Sequence, residues 1–183
     1  MGCSAAQSAL TNENHERSII DTKAGLYKSK TNIDPLDLED FIKQMLKLHN
    51  EERKKNDSEE LKLNEDLNIL ALEYSENIKS NPEKIKKFKY INIFKELIFG
   101  ENIAYSETKE PKKIFETWLN KDKNYETNSN KFLKANAHYT QIIWKNTKEI
   151  GISISYDEVN KIYCTVILYN PPGNTLGSFL ENI

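Results

Sequence analysis

The spacing of hydrophobic residues predicts helices in the first two thirds of the chain. A first helix begins after Asp34-Pro35, because Asp is a favourable N-cap and proline suits the first helical position. Its apolar stripe follows the helical period: Leu38, Phe41, Ile42, Met45 and Leu48. A second helix starts near Asn64, and a third opens at Pro111.

The last part of the chain is predicted to form strands. Apolar and polar residues alternate over 150–156 and again over 162–169, with a turn between them, which is typical of a β-hairpin. Gly100 to Tyr105 is interpreted as a turn into a short strand, whereas residues 83–99 and 137–144 have no clear period. Helices followed by an antiparallel hairpin indicate an α+β fold with a small antiparallel sheet between helices.

Composition separates a tail from a domain. Of the 183 residues, 38% are hydrophobic, which suffices for one core. Residues 1–35 are rich in Ser, Thr and Asn and show no apolar period, so we expect a flexible tether there and a domain over 36–183. The tether also lacks the apolar run of a signal peptide or membrane span.

Charge and cysteine content narrow the expected setting. The net charge is −2, and only Arg17 and Arg53 among the 26 basic residues are arginine, so no nucleic-acid partner is expected. Cys3 and Cys164 are the two cysteines, too few for the disulfide framework of a small secreted domain. We therefore expect a reducing compartment, with Cys164 buried in a strand.

The first residues suggest lipid attachment. Removal of Met1 would expose Gly2, the residue that N-myristoylation requires, and the adjacent Cys3 is a candidate palmitoylation site. A second acyl chain matters because one myristoyl chain binds a bilayer only marginally. Ala6 stands where Ser or Thr is usual, so an ordinary start with an incidental cysteine is the alternative.

Three segments resemble the CAP superfamily of cysteine-rich secretory proteins, antigen 5 and plant pathogenesis-related proteins. The longest is His-Tyr-Thr-Gln-Ile-Ile-Trp-Lys-Asn-Thr at 138–147, with Ala137 where the family has Gly. The others are Gly-Glu-Asn at 100–102 and Tyr-Asn-Pro-Pro-Gly-Asn at 169–174. His49-Asn50-Glu51 with Arg53 adds support, and the resemblance covers roughly residues 38–175.

The resemblance implies a CAP-type α-β-α sandwich and a non-enzymatic role. The Met-Gly start and missing disulfides are similar to the intracellular Golgi-associated branch, whose members are lipid-anchored and bind acidic phospholipid. The resemblance also implies a location at the cytoplasmic face of the Golgi, plasma membrane or another endomembrane. The alternative is an extracellular location, as in most of the superfamily. An acyl chain or sterol, a protein partner or a homodimer are further expected partners. Candidate membrane contacts are Lys84, Lys86, Lys87 and Lys89, with an ordinary solvated face as the alternative.

The family cavity has two His and two acidic residues, which hold a divalent metal in some members. The resemblance carries these positions to Tyr90, Glu101, Lys121 and His138, so two of the four have changed. One imidazole and one carboxylate are too few ligands for Zn²⁺, and an ammonium repels it. We therefore expect no metal and no cofactor, with Lys121 pairing with Glu101 and His138 hydrogen-bonded.

The alternative to a non-enzymatic protein is a hydrolase or metal-dependent enzyme that uses Glu101 and His138. Hydrolysis requires a nucleophile within reach of the base. Ser75, Ser106 and Thr140 are available, but no spacing in the sequence brings one of them to His138. His49, Tyr74 and both tryptophans, Trp118 and Trp144, are interpreted as packing residues.

Overall fold

The computed structural model describes residues 31–81, 99–119 and 134–183. Helices in these ranges are α1 (Pro35–Lys55), α2 (Glu65–Ile78), α3 (Pro111–Leu119), α4 (Ala137–Ile143) and α5 (Phe179–Asn182), with a 3₁₀ turn at Lys134–Asn136. Strands are β1 (Lys62–Leu63), β2 (Gly100–Ser106), β3 (Glu149–Asp157) and β4 (Ile162–Asn170). The predictions that fall on Gly2, Cys3, Tyr90, Lys121 and the lysines of 84–89 lie outside the described residues.

The predicted helix starts are confirmed by their caps. The Asp34 side chain accepts a hydrogen bond from the backbone N–H of Leu36, and the Asn64 side chain accepts one from Leu67. The unassigned segment at 137–144 is mostly the helix α4. Five consecutive residues of α4 are buried, from Tyr139 to Ile143, so no polar face exists to reveal a helical period.

The strands form a four-stranded sheet in the order β1-β3-β4-β2. The predicted hairpin is confirmed, since β3 and β4 pair antiparallel from Glu149–Asn170 to Asp157–Ile162. Strand β2 pairs antiparallel with β4 along its whole length. The two-residue strand β1 pairs parallel with β3, so the sheet is mixed and not wholly antiparallel.

Helices cover both faces of the sheet, which makes the predicted α+β sandwich. On one face, α1, α3 and α4 pack against Ile150, Ile152 and Ile167. On the other, α2 packs against Cys164, Val166 and Leu168, so Cys164 is a buried strand residue as predicted. Trp118 and Trp144 are also buried in the core, as the sequence predicted.

Arg53 fixes the end of α4. Its buried guanidinium donates hydrogen bonds to the carbonyl oxygens of Ile142 (2.9 Å), Trp144 (2.8 Å) and Thr147 (3.1 Å). Its Nε donates to the backbone carbonyl of Glu59 (2.6 Å). Burial lowers the pKa of Arg53 to about 10, so the group stays charged at neutral pH. This contact ties α1 to α4, the helix that carries His138.

Within 31–81, 99–119 and 134–183, every helix is too short or too polar to cross a bilayer.

The described part of the N-terminal segment lies against the hairpin. There, the Asn32 amide donates to the backbone carbonyl of Tyr156 (3.3 Å) and to the carboxylate of Glu158 (2.9 Å).

Candidate functional site

A cavity of about 270 Å³ lies along β2 and includes Glu101, Ile103, Tyr105 and His138 in its wall. The first three point to the same side because successive side chains of a strand alternate between faces. His138 comes from the first turn of α4. The structure therefore brings together two of the four predicted cavity residues, Glu101 and His138, and both are exposed.

Asn102 orients the imidazole of His138. The Asn102 amide nitrogen donates to the backbone carbonyl of His138 (3.1 Å), which fixes which end of the amide is oxygen. That oxygen lies 2.9 Å from Nδ1 of His138. Because an amide oxygen only accepts, Nδ1 carries the proton and Nε2 keeps its lone pair.

The hydrogen bonds continue from Asn102 into the core. The same amide nitrogen donates to the Tyr169 hydroxyl (3.0 Å), which lies 2.8 Å from Nε2 of His49. Nδ1 of His49 lies 2.7 Å from the backbone carbonyl of Met45 and must be the donor there, so Nε2 accepts a hydrogen bond from the Tyr169 hydroxyl. We call His138–Asn102–Tyr169–His49 the buried relay; each of its bonds has one direction.

The surroundings of the buried relay hold it in its neutral form. His49 is 0% exposed, and burial lowers its pKa to about 4, against a smaller opposing effect of the Met45 carbonyl. Burial also raises the pKa of Tyr169 well above its ordinary value, so the hydroxyl keeps its proton. The ring of His49 packs edge-on against Phe115, with centroids 4.9 Å apart.

The exposed side of the site has its own charge pattern. His138 is exposed overall, but the partial burial of its ring lowers its pKa, which favours the neutral imidazole. Tyr74 is buried beside the cavity, and its hydroxyl hydrogen-bonds to the Glu101 side chain. Burial first, and then the negative charge of Glu101, raises the pKa of Tyr74. Among these described groups, Glu101 supplies the net charge.

Sequence reasoning missed Asn102 and Tyr169 as site residues and treated His49 and Tyr74 as packing alone. Both His49 and Tyr74 are buried, so they do pack, but each also makes a polar contact toward the site. The available signal was the alternation of β2, which places Asn102 on the covered face. A buried amide needs hydrogen-bond partners, and that requirement points to other polar residues nearby.

The candidate nucleophiles are engaged elsewhere. Ser75 donates to the carbonyl of Leu72 (3.0 Å), and Ser106 donates to that of Thr108 (2.6 Å). Thr140 bonds to the Asn174 side chain (2.5 Å). Cys164 is buried against α2, and burial raises the pKa of its thiol to about 12, which opposes the reactive thiolate. In the described part of the cavity wall, no Ser, Thr or Cys side chain accompanies His138, and the Tyr105 hydroxyl donates to the carbonyl of Ile78 (2.9 Å).

The three sequence motifs form one structural unit. The Gln141 side chain accepts from the backbone N–H of Gly173 (2.8 Å) and donates to Thr147 (3.2 Å). Asn174 donates to the carbonyl of Ala137 (2.9 Å). A Cβ at Gly100 would lie 2.1 Å from the Gln141 amide oxygen, so a larger residue there would displace the Gln141 side chain from its bonds to Gly173 and Thr147. Most motif residues thus hold α4 in place, and His138 faces outward.

The metal ligands that the described residues offer do not fit a zinc site. Tetrahedral zinc sites use three or four protein ligands, whereas Glu101 and His138 supply two. Over residues 31–81, 99–119 and 134–183, no three His, Cys, Asp or Glu side chains are grouped so as to hold a metal ion. The expectation of a metal-free cavity stays a prediction, because Tyr90 and Lys121 lie outside these ranges.

Comparison with known proteins gives the family. The chain belongs to the CAP family, described as "CAP: Cysteine-rich secretory protein family", whose pattern matches residues 46–169. The resemblance seen in the motifs is thereby confirmed. Human Golgi-associated plant pathogenesis-related protein 1 is 32% identical over 146 residues, which span 78% of this chain and 92% of that protein.

Other relatives agree on the fold. Venom allergen 5 of Polistes gallicus is 42% identical over 87 residues, which span 43% of this chain and 42% of that protein. Venom allergen-like protein 4 of Schistosoma mansoni has a solved structure that superposes with a TM-score of 0.58 at 24% identity, covering 73% of this chain and 88% of that one. The CAP-type sandwich is therefore established for this chain.

Proposed function

We propose that this chain is a non-enzymatic CAP protein that works at the cytoplasmic face of an endomembrane, held there by acyl chains on Gly2 and Cys3. The observation that carries the non-enzymatic part is the state of His138. Asn102 orients it as a base, yet every candidate nucleophile in the described residues is bonded or buried elsewhere. An oriented imidazole in a cavity whose described wall carries no Ser, Thr or Cys side chain is suited to binding.

Support for the membrane setting comes from similarity. The relative that is 32% identical over 92% of its own length is named for association with the Golgi. The Gly2-Cys3 start of this chain offers the two acylation sites that stable anchoring needs. Venom allergens among the relatives are the reason to keep an extracellular protein as the alternative.

The anchoring proposal is tested by fractionation. The chain is expressed in acylation-competent cells as wild type, Gly2→Ala and Cys3→Ala, and N-terminal peptides are examined by mass spectrometry. We expect wild type in the membrane fraction, Gly2→Ala in the soluble fraction, and Cys3→Ala divided between the two because one acyl chain binds weakly. A wild type that stays entirely soluble would overturn the proposal.

Acidic lipid is the proposed surface, and Lys84, Lys86, Lys87 and Lys89 are the proposed contacts. Each lysine near an anionic leaflet contributes about 1 kcal/mol. Non-acylated protein should co-sediment with phosphatidylserine vesicles, and changing all four to Glu should abolish this. The matched control changes the exposed lysines Lys43, Lys47, Lys54 and Lys112 to Glu. Equal loss in both variants would argue against a defined surface.

The cavity is proposed to be metal-free, with Lys121 beside Glu101. Calorimetric titration with Zn²⁺ should show no 1:1 binding at micromolar concentration. Such binding, abolished by His138→Ala, would contradict the proposal. A steady turnover of a chromogenic ester that disappears in His138→Ala would instead favour the hydrolase alternative.

A further inference from the structure

The cavity presents two hydrogen-bond acceptors from different elements. Glu101 on β2 is a carboxylate, which only accepts. His138 on α4 donates through Nδ1 to Asn102, so its second nitrogen, Nε2, is an acceptor too. A carboxylate has about four acceptor positions, so the bond from Tyr74 leaves Glu101 able to accept others.

The buried relay prevents His138 from reversing its role. If Nε2 carried the proton, the lone pair of Nδ1 would face the lone pairs of the Asn102 oxygen, and that hydrogen bond would be lost. Turning the Asn102 amide over would not help, because it would break the amide's bonds to the His138 carbonyl and to Tyr169. Tyr169 cannot compensate, because its own proton goes to His49 and the Met45 carbonyl fixes that imidazole. Four hydrogen bonds in series, from the Met45 carbonyl to Nδ1 of His138, thus keep Nε2 of His138 an acceptor.

In the described part of the wall, two acceptors and one negative charge select a cationic donor, which is the same chemistry that Lys121 is proposed to offer to Glu101. We propose that the cavity binds a primary ammonium group, with the Glu101 carboxylate and Nε2 of His138 each accepting one of its N–H bonds. This deepens the proposed binding function by naming the chemistry of the ligand. Free phosphate and other anions are disfavoured for two reasons. Their oxygens are hydrogen-bond acceptors, as are the two site atoms, and their negative charge is repelled by Glu101.

The remaining wall suits a short carbon chain attached to that ammonium. Ile103 is apolar, and the Tyr105 hydroxyl donates to the carbonyl of Ile78 (2.9 Å), which leaves mainly its ring for the cavity. A volume of about 270 Å³ exceeds what an aminoethyl group needs, since one water takes up about 30 Å³. An aminoethyl compound, free or as a lipid headgroup, meets both requirements.

The test is an NMR titration of full-length, non-acylated protein with three probes. Ethanolamine carries a primary ammonium; choline has the same charge but no N–H donor; inorganic phosphate is an anion. The titration is run on wild type and on Lys121→Met, which removes an ammonium of the same chemistry expected near Glu101. We expect saturable shifts at Ile103 and His138 with ethanolamine in at least one background, and none with phosphate. Absence in both backgrounds, or equal binding of choline, would overturn the proposal.

Variants separate the site from general charge. Glu101→Gln should weaken ethanolamine binding about tenfold or more, because a charged hydrogen-bond partner becomes neutral. Glu107→Gln makes the same change at an exposed position just after β2 and should leave affinity unchanged. Equal weakening by both variants would reduce the site to net charge and contradict the proposal.

The relay has a spectroscopic signature. In ¹⁵N-edited spectra of wild type, His138 should show a protonated Nδ1 and an unprotonated Nε2. Tyr169→Phe leaves the Asn102 amide held by the His138 carbonyl alone, so it should raise the population of the minor His138 tautomer and weaken ethanolamine binding. Tyr163→Phe, on the same strand, should change neither. A wild-type His138 with a protonated Nε2 would overturn the assignment of acceptors.

The source of the ammonium is decided by two further arms. Vesicles of phosphatidylcholine with or without phosphatidylethanolamine test a lipid headgroup, and free ethanolamine tests a soluble amine. Binding in either arm supports the site and identifies its source. All these experiments use non-acylated protein, so their failure would leave the fractionation result for Gly2 and Cys3 standing, and the reverse also holds.

Discussion

Strand β2 places the polar residue Asn102 on one side of the sheet and Glu101 on the other, and the two residues have different surroundings. Asn102 faces the helices α1, α3 and α4, is 0% exposed and bonds to His138 and Tyr169. Glu101, its neighbour in sequence, faces the cavity and is exposed. On the covered side, Asn102 therefore fixes the geometry of the site, and its loss should lower stability. On the open side, Glu101 borders the cavity and remains exposed.

The sharpest test of this difference changes the two neighbours separately. Asn102→Ala should lower the free energy of unfolding by about 4 kcal/mol, because it removes three hydrogen bonds and leaves the Tyr169 hydroxyl without its donor. Glu101→Ala should lower it by about 1 kcal/mol, because Glu101 is exposed and its main loss is the hydrogen bond from the Tyr74 hydroxyl. Urea denaturation monitored by tryptophan fluorescence measures both. Similar losses in the two variants would contradict the comparison.

The covered side should also make stability depend on pH. The folded-state pKa of His49 is about 4 and its ordinary value is 6.5, so between these pH values the unfolded chain binds a proton that the folded chain does not. The contribution of His49 is complete above about pH 6.5 and falls as the pH drops to 4, by about 3 kcal/mol in total.

His49→Gln isolates that contribution. The variant should be less stable at pH 7 and should lose less stability than wild type on acidification, as measured by urea denaturation at several pH values. Because His138 also has a lowered pKa and stays in both proteins, only the difference between them reports on His49. Parallel curves for the two proteins would show that His49 is not held neutral.

A smaller effect is expected from one hydroxyl in the middle of the buried relay. Tyr169→Phe keeps the ring but leaves Nε2 of His49 and the Asn102 amide each short of a partner, so stability should fall by about 2 kcal/mol. Tyr163→Phe, on the same strand, serves as the control and should be close to neutral. Thermal unfolding followed by circular dichroism would measure the difference.

The smallest effect is expected where the covered and open sides meet. Tyr74→Phe removes the hydroxyl that bonds to Glu101, and water can replace it because Glu101 is exposed. The free energy of unfolding should fall by less than about 1 kcal/mol. A loss equal to that of Tyr169→Phe would mean that Glu101 belongs to the buried network after all.

Much of the fold was predictable because it depends on short-range chemistry. The caps at Asp34 and Asn64, the start at Pro111 and the hairpin at 149–170 follow from local residue types and spacing. The parallel pairing of β1 was not predictable, since two residues carry no period. Helix α4 was missed because burial on most sides leaves no polar face.

The family, the α+β class and two cavity residues, Glu101 and His138, follow from motif spacing and apolar periodicity along the chain. What His138 can do in the cavity follows from the folded arrangement alone. Its tautomer depends on Asn102, Tyr169 and His49, which are 36 to 120 positions apart in their hydrogen-bonded pairs. Hydrogen-bond direction is a property of atoms brought within about 3 Å by folding, and no local pattern encodes it.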